Sequence, residues 1–227
     1  MRAVCLKHVQ FEGPGAFATA LTARDVSLDQ YLVPQDGLPQ DAGDLLIVMG
    51  GPMSVNDPDP WIAEETAFIR AALLAGTAVI GVCLGSQFMA KALGATVQPG
   101  AGLEIGKTRI RLTEEGKQDP VLGMFPESLS VFEWHGEIFD LPPDCVALAG
   151  SEMAPLQAFR YGPHAYGLLF HLEIEAEGID ALCQHCAPDL ARAQLTATKA
   201  LMGFLPHMWL SHQIADRLID HLINSAR

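Results

Sequence analysis

What this sequence lacks narrows its function before any motif is read. Positive charge is scarce: 14 Lys and Arg stand against 27 Asp and Glu, for a net charge of -13 and a pI near 4.9. A surface of that sign repels phosphate backbones and anionic headgroups, so neither nucleic acid nor membrane is an expected partner. A membrane-length apolar run is missing too. The longest, Ala71 to Gly85, is shorter than the ~20 residues a span requires. At the N-terminus Lys7 and His8 interrupt the apolar residues before an h-region can build, so no signal peptide is read and a soluble, cytoplasmic protein is expected. The five cysteines are odd in number and read as reduced thiols, which excludes a disulfide framework. Repeats and low-complexity tracts are absent, and 49% hydrophobic against 18% charged residues is an ordinary globular balance. With 227 residues the chain has enough length for a sizeable core, and one domain over 1–227 is expected, helical in character from about residue 178.

The first half reads as alternating strands and helices. Ala3 to Val9, Leu45 to Met49 and Thr77 to Val82 have the apolar, β-rich character of buried strands, and Ser27 to Val33 reads as a second strand. Gly13 to Arg24 and Trp61 to Gly76 have helical composition between them, and Pro34 to Gly43 reads as a polar loop. This alternation predicts an α/β fold, a three-layer sandwich around a central, mostly parallel sheet of flavodoxin-like character. In such sheets ligands bind beyond the carboxyl ends of the strands. The second half predicts short strands at Thr96-Val97, Thr108–Leu112, Leu129–Phe132, Cys145–Ala149, Pro155–Phe159 and Ala165–Phe170, then helix over Ile179–His185 and from about Leu190 onward.

The organising stretch is Thr77 to Gly94. Its apolar strand changes to helical spacing at Leu84, Phe88, Met89, Ala92 and Leu93, and between the two periods stands Cys83, two residues from Gly81 and from Gly85. A lone cysteine at a strand end is commonly structural. Between two glycines at a strand–helix turn it has the setting of a nucleophile, held on a strained backbone with the helix's positive end behind its sulfur. Gly50-Gly51-Pro52 follows another buried strand. Alone it is a flexible turn, but an N–H without a side chain, at Gly51, is also suited to an oxyanion, with the Leu84 N–H as the second donor. A cysteine nucleophile needs a base oriented by a third group. His171 and Glu173 lie at the end of an apolar strand, and two residues apart in extended chain they face the same side, Leu172 the other.

Gly50-Gly51-Pro52, Gly81-Val82-Cys83-Leu84-Gly85-Ser86-Gln87 and Phe170-His171-Leu172-Glu173, in this order, resemble the three signatures of the class I (triad) glutamine amidotransferases, and in particular the amidotransferase domain of GMP synthase without its synthase part. Glu104-Ile105-Gly106 and Glu133-Trp134-His135-Gly136-Glu137 add smaller matches. The resemblance implies that Cys83 attacks the side-chain amide of glutamine while His171, oriented by Glu173, protonates the departing ammonia and later activates water. It implies an oxyanion hole at Gly51 and Leu84, substrate contacts at Gln87, Trp134, Gly136 and Glu137, and a γ-glutamyl thioester as intermediate. It implies no cofactor and no metal, and a synthase subunit that accepts the ammonia. This chain departs from the family pattern at Leu172, where Pro is frequent, and at Leu84 and Ser86 beside Gly85.

Other readings compete. The same triad suits a hydrolase of a γ-glutamyl metabolite, which the missing synthase part favours. An α/β-hydrolase with a cysteine elbow would bring its acid before its His, the reverse of the order here. A non-catalytic regulatory subunit would have a broken triad. Cys183-Gln184-His185-Cys186 offers three donors where zinc usually takes four, so an ordinary helix is expected there. Met202, Phe204, Leu205, Met208, Trp209 and Leu210 form a dense apolar stretch, suited either to packing on the sheet or to a homodimer or synthase interface.

Overall fold

Apolar residues that alternate with nothing polar must be covered on both faces, and the central strands show this directly. In the computed structural model, which describes residues 1–225, β1 (Arg2–Lys7) leads through α1 (Gly15–Thr22) to β2 (Ser27–Leu32). A one-turn α2 (Val33–Asp36) precedes β3 (Leu45–Val48), then come α3 (Pro60–Leu74), β4 (Ala78–Val82) and α4 (Leu84–Ala92). The chain continues through β5 (Val97–Leu112), α5 (Glu114–Lys117), β6 (Ser128–Phe139), β7 (Cys145–Gly150), β8 (Ala158–Tyr161) and β9 (Ala165–Leu168). It closes with α6 (Ala176–His185), α7 (Ala187–Arg192) and α8 (Ala197–Ser225).

All nine strands form one sheet, in the order β2-β1-β3-β4-β9-β8-β7-β5-β6. The first five in that order are parallel, and every pair beyond β9 is antiparallel. Successive side chains go to opposite faces. Leu45, Ile47, Ile80 and Val82 pack with Phe17 of α1 and Ile214, Leu218 and Leu222 of α8. Leu46, Val48 and Val79 pack with Ile62 and Ile69 of α3 and Phe88 and Met89 of α4. Each such side chain contributes ~1.5–3 kcal/mol on full burial, which sets the three-layer α/β architecture.

The far edge of the sheet does not stay far. The sheet curls until Phe132 of β6 makes an antiparallel bridge with His171, just beyond β9, and the His171 N–H donates to the Phe132 carbonyl (2.9 Å). A third apolar cluster fills the curl: Phe132 and Trp134 with Ile179 and Leu182 of α6, Leu190 of α7 and Ala200 and Phe204 of α8.

Several expectations are corrected. The loop expected from Pro34 begins as α2, Pro34 sitting in the first turn where its missing N–H costs nothing. The strand pieces at Thr96-Val97 and Thr108–Leu112 are parts of one 16-residue β5, whose register shifts between Pro99 and Glu104; Gly100, Gly102 and Gly106 had hidden its continuity. β6 extends seven residues beyond Phe132 to Phe139 and so takes in Glu133-Trp134-His135-Gly136-Glu137. β8 starts at Ala158 rather than Pro155. The C-terminal helical stretch is split, with Gln194 at φ 54° between α7 and α8. On α8, Phe204 is buried whereas Met202, Leu205 and Trp209 are exposed on one face. Among the described residues no helix is long and apolar enough to cross a membrane.

The tightest backbone contact in the parallel half lies under the β4–α4 turn. A Cβ at Gly85 would overlap the Val48 carbonyl oxygen, whereas one at Gly203 of α8 meets nothing within 4 Å. Gly85→Ala is expected to lower unfolding stability by about 3 kcal/mol through overpacking against backbone. Gly203→Ala is expected to raise it by about 0.5–1 kcal/mol through helix propensity alone. Urea midpoints of the two variants check both signs.

Candidate active site

The turn between β4 and α4 holds Cys83 at φ 50°, ψ -110°, a conformation L-residues rarely adopt. Its neighbours explain how this is tolerated. Gly85 lies directly on the Val48 carbonyl, and a Cβ at Gly81 would stand 2.5 Å from the Gly85 carbonyl. Any larger residue at either position would push the helix off the sheet. The Cys83 carbonyl accepts from the N–H groups of Ser86 (3.0 Å) and Gln87 (3.2 Å), so Leu84 is left at the first turn of α4 with an N–H that has no partner within the helix. Cys83 is not exposed above the sheet as expected. It is only 6% accessible, because β6 and the α6–α7 corner arch over it, and its Sγ lies 3.5 Å from the Trp134 carbonyl oxygen.

His171 and Glu173 meet as their spacing requires. His171 Nδ1 donates to Glu173 Oε1 at 2.8 Å with Leu172 turned into the core, which leaves Nε2 free of that pair. Burial by itself disfavours the imidazolium. The Glu173 carboxylate and negative charge at Cys83 outweigh it and hold His171 well above the usual histidine range. The segment is pinned from both sides. Ala16 at the start of α1 donates its N–H to the Glu173 carbonyl (2.9 Å), an approach that only Gly at position 15 permits, and His212 of α8 donates to the Ile174 carbonyl (2.9 Å).

A cavity of about 220 Å³ opens at Cys83. Gly51, Leu84, Gln87, Trp134, Gly136, Glu137 and His171 all line it with Cys83, so eight of the nine residues singled out from sequence converge on one space. Glu173 is the exception. It stands behind His171 and lines a second cavity on that side. Gln87 reaches the Glu137 carbonyl (3.5 Å), and Glu137 Oε1 accepts from Ser54 (3.0 Å). Leu182, Cys186 and Asp189 also line the first cavity, so the Cys183–Cys186 segment roofs the site.

Three groups of buried polar residues had no role assigned from the sequence. His8, at the end of β1, is wholly enclosed between Trp61 and Phe88 (ring centroids 5.8 and 5.4 Å). Its Nδ1 lies 2.8 Å from the Gly50 carbonyl and its Nε2 lies 3.0 Å from Glu65 Oε1. A carbonyl can only accept, so Nδ1 carries a proton. Desolvation opposes a second one, but Glu65 supplies the compensating charge and raises His8 above its ordinary value. The Gly50 C=O is thereby fixed on His8. Because every described peptide bond is trans, the Gly51 N–H of the same peptide points the opposite way.

The second group is His135, whose Nε2 lies 3.3 Å from Glu104 and 3.2 Å from Glu133, close enough for charge but out of line for a hydrogen bond. Burial lowers its affinity for a proton, and these two carboxylates reverse that and carry it to about 10. Burial likewise raises Glu133. The third is Glu12, just beyond β1, which lines both cavities. Glu104 and Glu133 could be found from the smaller motif matches. His8, Glu65 and Glu12 carried no local signal, since each lies in an unremarked stretch far in sequence from what it touches.

Comparison with known proteins agrees with this arrangement. Residues 17–181 match the family model of glutamine amidotransferase class-I. The chain is 36% identical over 202 residues to the glutamine amidotransferase-like protein YfeJ of Salmonella typhimurium, covering 86% of this chain and 84% of that one. It is 33% identical over 135 residues to the glutamine-hydrolyzing GMP synthase of Thermomicrobium roseum, covering 57% of this chain but only 23% of that longer protein. A glutamine amidotransferase crystal structure from Thermotoga maritima superposes with a TM-score of 0.90 at 28% identity, over 98% of both chains. The elbow cysteine, the fold that carries it and these likenesses agree: the chain belongs to the class I glutamine amidotransferase family.

Proposed function

We propose that this protein hydrolyses the side-chain amide of glutamine, or of a γ-glutamyl compound, through a thioester on Cys83. The observation that carries this reading is the convergence of Cys83, on its strained elbow, and the His171–Glu173 pair on one cavity. In this reading Sγ, its proton passed to His171 Nε2, attacks the amide carbon and charge develops on the oxygen. The Leu84 N–H, at the positive end of α4, and the Gly51 N–H receive that charge. His171 Nε2 delivers a proton to the departing nitrogen, and the C–N bond breaks. Water then attacks the thioester carbon as His171 takes its proton, the C–S bond breaks, the sulfur regains its proton and glutamate leaves. Gln87, Trp134, Gly136 and Glu137 surround the glutamyl end, with the carboxylates of Glu137 and Asp189 available to an α-ammonium. No step calls for a cofactor or a metal. The ammonia passes to an acceptor, as in the two-part GMP synthases, and a synthase subunit or second copy would find an apolar docking stripe at Met202, Leu205 and Trp209.

Cys83→Ala is expected to abolish glutamate release from glutamine while the circular dichroism spectrum is kept. Persistent release by that variant would refute the reading.

The pH dependence follows from His171. It acts as an acid while protonated, so the rate falls as pH rises through its raised pKa. Glu173→Gln removes a charge that raises that pKa. The alkaline limb of kcat/KM is expected to move to lower pH, with a rate loss of about 100-fold.

The Gly50–Gly51 peptide gives a third expectation. Glu65→Gln leaves His8 a partner, since the amide can donate to Nε2 while Nδ1–H still holds the Gly50 carbonyl, so most of kcat should survive. Glu65→Leu frees His8 to turn, and kcat is expected to fall about tenfold or more with KM little changed. Steady-state kinetics of the two variants makes the comparison.

A further inference from the structure

Behind His171, under the same helix α6 whose end roofs the first cavity, lies a second cavity of about 300 Å³. Glu12, His171 and Leu182 line both this cavity and the first. Its other walls come from Gln10 to Gly15, from Glu173 to Glu175, and from Glu177 and Gly178 of α6. Four of the lining residues are glutamates and none is Lys or Arg. His171 is the cationic group of the lining, already spent on Glu173, and Lys7 beside Gly13 is engaged by the Gln10 carbonyl (3.3 Å).

Two of these carboxylates keep an oxygen without a hydrogen-bond partner. Glu12 is 9% exposed and has no hydrogen-bond or ion-pair partner among the described residues. Its Oε2 presses on the Gly50 backbone, on the side where His171 Cε1 also approaches. Glu173 spends Oε1 on His171, and its Oε2 is buried without a partner. The segment that carries Glu12 is held in place, for Phe11 stacks on His185 at the end of α6 with ring centroids 4.3 Å apart. A buried carboxylate without a partner is unfavourable unless something cationic meets it. The folded chain holds one such oxygen, Glu173 Oε2, and beside it the Glu12 carboxylate without a hydrogen-bond partner, next to the group proposed to protonate the leaving nitrogen.

Ammonia occupies about as much space as one water, ~30 Å³ in the liquid, and would leave most of this cavity unused. We propose that the cavity seats the leaving amine of a γ-glutamyl amide whose far end carries a positive charge, so that the preferred substrate is a γ-glutamyl derivative of a short diamine. This rests on the thioester reading above. Cys83 attacks the γ-carbonyl, the C–N bond breaks as His171 gives its proton to that nitrogen, and the amine departs with its distal ammonium against Glu12. Water then releases glutamate from the sulfur. Glu175 and Glu177, exposed at the mouth, draw the cation in.

The test is a set of matched amides. γ-Glutamyl-1,4-diaminobutane, neutral γ-glutamyl-n-pentylamide of the same reach, anionic γ-glutamyl-4-aminobutyrate and glutamine are compared by kcat/KM for glutamate release. The cationic amide is expected to exceed the neutral one by about tenfold or more, the worth of one charge-assisted contact, with the anionic amide last. Glu12→Gln is expected to bring the cationic-to-neutral ratio within about threefold of unity by removing that contact. If Glu12→Gln does not fold, Glu175→Gln combined with Glu177→Gln is expected to reduce the same ratio. Equal turnover of the cationic and neutral amides, or preference for the anionic one, would overturn this proposal and leave the hydrolase reading intact. Failure of every amide, glutamine included, would overturn both.

Discussion

The structure depends first on a close approach of backbone to backbone. Cys83 keeps its positive φ because α4 sits almost on the end of β3, and α4 can do so because Gly85 presents no side chain to Val48 and Gly81 none to Gly85. Packing on both faces of the parallel sheet holds the helix down, so the strain at one residue is opposed by the burial of many. The consequence is chemical: a sulfur, an unpaired N–H at Leu84 and the positive end of a helix are brought to one point.

The second constraint is the curl of the sheet. A flat nine-stranded sheet would leave β6 four strands from β9. Instead the Phe132–His171 bridge joins them and lays Trp134, His135, Gly136 and Glu137 along the cavity. The apolar cluster beneath Phe132 and Trp134, backed by α8, then draws the α6–α7 corner across the opening. One contact therefore sets the base, the wall and the roof together, and it explains why the thiol is nearly buried rather than open to solvent.

Buried charge is concentrated around this point and arranged in pairs. His8 with Glu65, His135 with Glu104 and Glu133, and His171 with Glu173 each place an imidazole against carboxylate in a setting that desolvation alone would make neutral. The first fixes a peptide plane, the second stiffens β6 against β5, and the third faces the thiol. Glu12 stands apart because it has no such partner, and that asymmetry distinguishes the second cavity from the rest of the interior.

The local sequence determined everything that depends on neighbours along the chain. Parallel strands betray themselves by unbroken apolar runs, the elbow by glycines two residues either side of Cys83, and the base by the two-residue spacing of His171 and Glu173 in extended chain. The long strands β5 and β6 were only partly legible. Glycines in β5 and the charged residues of Glu133–Glu137 in β6 look like loop until their partners are seen. Tertiary structure alone decided that His8 would hold Gly50, 42 residues away, that Glu65 would hold His8 from another layer, and that Cys186 and Asp189 would roof the thiol. The reason is physical. Periodicity and turn chemistry are written in adjacent residues, whereas the partner of a buried charge is chosen by the curl and packing of the whole sheet.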